Sequence, residues 1–345
     1  MKSVLPGLRR LALPEPRGPL SAHVVRALTG PLRRVERHPA VGDDPLAGDD
    51  FHLALYLCYE LHYAALDGVE PGWEWEPTLL EFRRRLEDCF EKELVVSVPQ
   101  MGAARPEGVP EVLIEAARNN ADVALASSPN SKGPSLSRAL EREPSLERFR
   151  EFVVHRSAYH LKEADPHSWV IPRLTGRPKA ALLEIQADEY GSGDPEAMHA
   201  ALFARTMTAL GLDARYGAYV SRLPGITLAG VNLMSMFGLH HRWRGAAVGH
   251  LAMFEMTSTE PNRRYGNALR RLGYGTEATA FYDEHVEADA VHENIAAYDL
   301  AGTLAREEPS LATDIELGAR SLLHLEARWA EHVMTAWDAG RSSLL

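Results

Sequence analysis

Residues 282–293 read YDEHVEADAVHE, and this stretch decides how the rest of the chain is read. It has no alternation of apolar and polar residues, so it is not a half-buried strand. As a helix, at 100° per residue, it puts His285, Asp289 and His292 within about 60° of one another on one face. Glu284, Glu287 and Glu293 fall further round, where they read as solvated charge. Two imidazoles and a carboxylate on one helical stripe can grip one or two transition metals. An acidic surface helix with chance histidines remains open for this stretch alone.

Working outward, the pattern is helical almost throughout after residue 45. Helices are expected at about 51–66, 78–92, 109–121, 145–164, 177–190, 195–211, 215–222, 228–239, 246–257, 260–272, 276–292, 294–306 and 309–338. Asp194 with Pro195 behind it, and Thr276, are expected N-caps; Gly211 and Gly273 are expected stops. Residues 97–109 and 128–134 read as loops from their Gly, Pro, Ser and Asn content. The expected fold class is all-α, a helical bundle spanning 45–340, with the ligand-bearing core at 145–300.

Bulk composition is compatible with one large folded domain. The chain has 345 residues, 45% hydrophobic and 25% charged, and lacks an apolar run long enough for a membrane span. Its two cysteines, Cys58 and Cys89, cannot build a disulfide framework or a Cys-type zinc site, which fits a cytoplasmic setting. The net charge of −11 disfavours a nucleic-acid partner. Residues 1–40 hold one Lys and seven Arg against two Glu, a balance of +6, so the remainder carries −17. With six prolines as well, residues 1–44 are expected to be a loosely ordered basic arm, with a targeting peptide as the alternative.

Three further pieces carry chemistry. In EIQADEYGSGDPEAMHAALF (184–203), Glu189 ends one helix and His199 lies early in the next, so the break lets them converge. Glu196 competes for the same role through a Glu-x-x-His spacing, or is simply an acid favoured near a helix N-terminus. Glu255 in LAMFEMTS is too deep in apolar company for an unpaired carboxylate, so a metal, Arg or His must face it. Glu163 ends the helix FVVHRSAYHLKEAD and reads equally as an exposed acid. His160, three residues before it, is a possible supporting residue, and Tyr159 and Tyr190 possible pocket residues.

In order and spacing, Glu163, Glu189, His199, Glu255, His285, Asp289 and His292 resemble the ligand set of the haem-oxygenase-like di-iron oxidases. The phrase DEYGSGDPEAMHAALF (188–203) is similar to the family's second-ligand segment. With three histidines the set is closest to the N-oxygenating branch, which includes the central domain of a nitrosourea-forming enzyme and a 2-aminoimidazole oxidase. The resemblance implies a haem-oxygenase-like helical bundle holding two Fe ions, with O2 as co-substrate and an external electron donor such as a reductase or ferredoxin. It implies N-oxygenation of an amine, guanidine or aminoazole nitrogen in natural-product biosynthesis, with Glu189 and His285 at the centre of catalysis. A homodimer is expected, with the apolar helix at 51–66 and the N-terminal segments as its interface. Oxidative decarboxylation or carbon–carbon cleavage of an amino or fatty acid is the alternative on the same bundle. A non-enzymatic helical interaction module is the alternative from another class.

Overall fold

The computed structural model describes residues 11–35, 38–42, 44–64, 66–98, 105–120 and 135–345. The expected loop at 128–134, residues 99–104 of that at 97–109, and residues 1–10, 36, 37 and 43 of the arm lie outside them. The fold is all-α: among the described residues extended pairing is limited to an isolated bridge between Leu11 and Leu66.

The chain opens with α1 (Pro19–Leu28), α2 (Asp49–Glu60), α3 (Pro77–Ser97), α4 (Val109–Arg118) and α5 (Leu136–Arg142). It continues through α6 (Leu146–His160), α7 (Asp165–Ser168), α8 (Gly176–Glu189), α9 (His199–Ala209) and α10 (Gly225–Leu239). The C-terminal part holds α11 (Arg244–Arg271), α12 (Thr276–Asn294), a π-helical segment at Ile295–Gly302, α13 (Thr303–Glu307) and α14 (Ala312–Asp338). The long helix α11 is the spine, packing against α12 on one side and α14 on another, while α9 and the π-helical segment also pack against α12. No helix among the described residues is long and apolar enough to cross a membrane.

The structure corrects several expectations. The described part of the basic arm is not loose: Pro19 starts α1 as a first-turn proline, and Leu20, Val24 and Leu28 bury one stripe against α2. Asp50 completes this contact by accepting hydrogen bonds from the backbone amides of Leu20 and Ser21, both at 2.8 Å. Helix α2 stops at Glu60, and its residues 50–60 are all buried within the chain, so it is not available as a homodimer face. Helices expected at 246–257 and 260–272 are one continuous α11 that runs through Pro261. Proline removes one main-chain hydrogen bond, but packing on both sides keeps the helix intact. Residues 215–222 form turns and a short 3-10 helix rather than an α-helix. Residues 195–198 are turn, so Asp194 does not cap α9; Met198 precedes it and His199 opens it. Gly275, not Thr276, precedes α12. Gly211 and Gly273 do end helices, with φ of 72° and 87°.

The crossing of α11 with α14 depends on two glycines. A Cβ on Gly249 would lie 1.8 Å from the carbonyl oxygen of Ile315, and one on Gly318 would lie 1.9 Å from that of Ala246. The helices therefore touch backbone to backbone. Gly318→Ala is expected to destabilise the fold by at least about 1–3 kcal/mol through overpacking, measured as a lower urea midpoint.

Two buried histidines make stability pH-dependent. His52 lies 3.0 Å from the carbonyl oxygen of Pro45, and His155 lies between Thr227 Oγ1 at 2.7 Å and Ser343 Oγ at 2.9 Å. Burial lowers both to about 3. As pH falls below about 6.5 the unfolded chain takes up protons that the folded one refuses. Stability is thus full above that pH and is lost towards pH 3, by up to about 1.4 kcal/mol per pH unit for each histidine. The change in urea midpoint between pH 6.0 and 5.0 should be a fall, and a shallower one in His155→Gln than in the parent chain.

Candidate metal centre

One turn and four helices aim side chains at one region inside the bundle. After α6 the chain turns through residues 161–164, and Ala164, at φ 72°, ends this turn in the left-handed region. That conformation is costly for a residue with a Cβ, and it directly follows Glu163, which it directs inward. Glu189 is the last residue of α8. The Gly191-Ser192-Gly193 corner then reverses the chain, all three residues having positive φ. A Cβ on Gly191 would lie 2.6 Å from the Met198 amide nitrogen, so only glycine lets the corner close this tightly. His199 thereby returns to Glu189, with Nδ1 2.9 Å from Oε2. Glu255 comes from the middle of α11, and His285, Asp289 and His292 come from one face of α12, all buried.

All seven residues expected at the site are buried, and six of them converge in two overlapping groups. Glu163, Glu189, His199 and His285 form one; Glu189, Glu255 and His292 form the other. Within each group the potential ligand atoms lie within 4.8 Å of one another, and Glu189 belongs to both. Asp289 lines the same small cavity but stands outside either group, its Oδ2 accepting from Ser258 Oγ at 2.8 Å. Glu196 is exposed and pairs with Arg205, so it is not a competing ligand. His199 opens its helix at the corner, where Glu189 can meet it and Glu196 cannot.

The donor set fits divalent metal. Glu163 Oε2 is buried without a hydrogen-bond partner, and the 2.9 Å approach of His199 Nδ1 to Glu189 Oε2 and the 3.3 Å approach of His292 Nδ1 to Glu255 Oε2 lack good hydrogen-bond geometry. Such groups are costly unless something else satisfies them. His292 Nδ1 lies 3.3 Å from Glu255 Oε2, and His285 Nε2 lies 3.6 Å from Glu163 Oε1, so these atoms surround a common space rather than pairing cleanly. Four buried carboxylates also concentrate negative charge. Burial tends to strip the proton from His285, but Glu163 above all outweighs it and lifts the imidazole well above its ordinary value. The same contest, won by Glu255 and Asp188, raises His292 to about 9. Burial raises Glu255 and Asp289, whereas His160 and His285 overcome burial and hold Glu163 well below the carboxylate range. Two dications would balance four carboxylates.

An outer ring of residues orients this set. His285 Nδ1 donates to the carbonyl oxygen of Phe281 at 2.7 Å, which turns Nε2 towards Glu163. His292 Nε2 donates to Asp188 at 3.0 Å, which leaves Nδ1 facing Glu255. His160 Nδ1 donates to Glu163 Oε1 at 2.8 Å, a supporting role the sequence had only suggested. Tyr159 lines the cavity, and Tyr190 instead donates to Asp165 at 2.8 Å. Asp188 and Ser258 were not found from sequence. Asp188 directly precedes Glu189 and looked like an ordinary surface acid; Ser258 lies one turn beyond Glu255, which was the only available signal.

Comparison with known proteins gives the family. A model of the haem-oxygenase type, describing iron-containing redox enzymes, matches residues 150–327, more than half of the chain and the span in which the seven residues lie. The chain belongs to this family. It is also similar to nitrosourea synthase from Streptomyces achromogenes subsp. streptozoticus, at 26% identity over 147 residues. The alignment covers 43% of this chain and 31% of that enzyme, so the chain spans about a third of the relative's length. The protein is thus an oxidoreductase of an iron-containing family, with a buried carboxylate and histidine cluster where iron fits.

Outer-shell carboxylates that hold a metal-facing histidine commonly matter about 10–100-fold for metal affinity. Asp188→Asn is expected to weaken binding of one equivalent of Fe(II) or Mn(II) by that order in a chelator competition. Since Asp188 is half exposed, the far-UV spectrum and urea midpoint should be unchanged.

Proposed function

We propose that the chain is a non-haem di-iron oxygenase that N-oxygenates a small nitrogenous substrate. The observation that carries this reading is the pair of convergent groups meeting at Glu189: two cation-sized sites that share one carboxylate. Glu163, His199 and His285 would complete the first site, and Glu255 and His292 the second. Asp289, between the two histidines of α12, is placed to swing from Ser258 into either. The likeness to nitrosourea synthase supports nitrogen as the atom oxidised, as does a third imidazole among the donors.

Two Fe(II) ions held there would supply electrons to reduce O2. The chain's own residues do the rest. Burial excludes water, which strengthens every charge interaction in the cluster. Phe281 and Asp188 hold the outer N–H groups of His285 and His292, so that the inner nitrogens, once their protons give way to metal, would face inward. Glu189, common to both sites, and His285, on the rigid middle of α12, are the residues whose loss should disable both binding and turnover. Re-reduction after each turnover needs electrons from outside, for which a reductase or ferredoxin is the proposed partner.

The test is an anaerobic Fe(II) titration followed by rapid mixing with O2, watched in the visible range, in wild type and His285→Ala. Saturation near two irons per chain with a transient absorption that vanishes in the mutant is the expected result. Candidate amines, guanidines and aminoazoles should then accelerate its decay. A protein that takes up no iron is not an oxygenase of this kind, and a transient that no nitrogen compound discharges removes N-oxygenation.

A further inference from the structure

A second cavity, of about 100 Å³, adjoins the carboxylate cluster. It shares Phe254 and Ser258 with the small space at the cluster itself. Another of its walls is His160, the residue that donates to Glu163. Two of its walls, His160 and Ser258, hydrogen-bond Glu163 and Asp289, so a molecule seated here lies one side chain from two residues of the cluster.

Half of the cavity's lining is aromatic or aliphatic; the other half is polar, with Asn120, Thr257, Ser258 and Asn262 beside His160 and one ion pair. Arg156 donates to both oxygens of Glu326, at 2.8 and 2.6 Å, while its guanidinium lies 3.9 Å from the centre of the Trp329 ring. The Arg156 side chain is 20% exposed and that of Glu326 33%, so both are reachable from outside. A bidentate pair of this kind is a strong one, so only a ligand that offers a carboxylate to Arg156 and an ammonium to Glu326 together would replace its hydrogen bonds one for one. Tyr282, one turn before His285, lines the same cavity, and its buried hydroxyl has no hydrogen-bond partner. Burial and Glu163 together keep it a phenol despite Arg156, so it offers a donor.

We propose that this cavity is the substrate site and that Arg156 and Glu326 select the zwitterionic head group of an amino acid. The ligand carboxylate takes Arg156 and its ammonium takes Glu326, so the cavity stays neutral. A simple amine would leave Arg156 facing no anion, and a simple carboxylic acid would leave Glu326 facing no cation; both leave a partly desolvated charge uncompensated. Arg156 precedes His160 by one turn of α6, a rise of about 6 Å, so a head group held there leaves the ligand's tail to reach Ser258 and the cluster. Tyr282 donates to an acceptor on that ligand. The assignment rests on reading the cluster as the oxidising centre, but it concerns binding alone and can be tested apart from it.

The test is calorimetric binding to the metal-free chain, with intrinsic tryptophan fluorescence, compared with that of Trp329→Phe, as a second readout. Three matched pairs serve as probes: L-arginine and agmatine, L-lysine and cadaverine, L-histidine and histamine. At least one amino acid should bind about tenfold or more tightly than its decarboxylated partner, the effect of one charge-assisted bidentate contact. Arg156→Gln should abolish that preference while leaving binding of the amine in place. Should Arg156→Gln fail to fold, Glu326→Gln, at the more exposed partner, should weaken the amino acid and raise the relative affinity of acetate. Equal affinities within every pair, a preference that survives both substitutions, or no amino-acid binding at about 10 mM (a free energy of under 3 kcal/mol) overturns the assignment. Preference without iron uptake would sink the di-iron reading and leave this site standing; iron uptake without preference would do the reverse.

Discussion

Four carboxylates and three imidazoles are buried together in an otherwise apolar helical core, and the rest of the structure answers to that constraint. Such a cluster is strongly unfavourable alone, because each ionised group loses its hydration. Part of the cost is met by the outer hydrogen bonds from His160 and Ser258 and by the acceptors Asp188 and Phe281. Part is met by pairing inside the cluster, which pulls Glu163 down and His285 and His292 up. What is left over, buried oxygens and nitrogens that share a space without clean pairing, fits bound cations.

Holding such groups in register needs a rigid frame, and the packing of α11 supplies it. Gly249 and Gly318 let α11 and α14 meet backbone to backbone, while α12 lies along another side of α11. Glu255 therefore projects from a helix braced on both sides, opposite a helix that carries three donors on one stripe. Local strain is concentrated at the two places where a carboxylate enters from outside this frame. Ala164 and Ser192 are the described non-glycine residues with positive φ, and they follow Glu163 and Glu189 closely.

The same arrangement separates the centre that oxidises from the cavity that would choose. The cluster leaves only about 10 Å³ of free space, whereas the adjoining cavity holds about 100 Å³. Ser258, Phe254 and His160 stand between the two, so chemistry and recognition touch without sharing ligands. Variation in the residues around Arg156 and Glu326 could alter what is bound while the cluster stays intact.

Much of the fold and the site was legible in the sequence. Helical periodicity gave an all-α class, and the i, i+4, i+7 spacing of His285, Asp289 and His292 placed them on one face whatever the surroundings, because side-chain direction along a helix is a local property. The Gly-Ser-Gly break after Glu189 announced a corner for an equally local reason, since glycine permits the left-handed backbone. Which acid uses the corner was not local: Glu196 competed with Glu189 until three-dimensional geometry put one inside and the other against Arg205. The continuity of α11 through Pro261, the docking of α1 on Asp50, and the recruitment of Asp188, Ser258, Arg156 and Glu326 were equally out of reach. Each depends on a partner more than ten residues away or on packing that overrides a local preference, and a sequence pattern records neither.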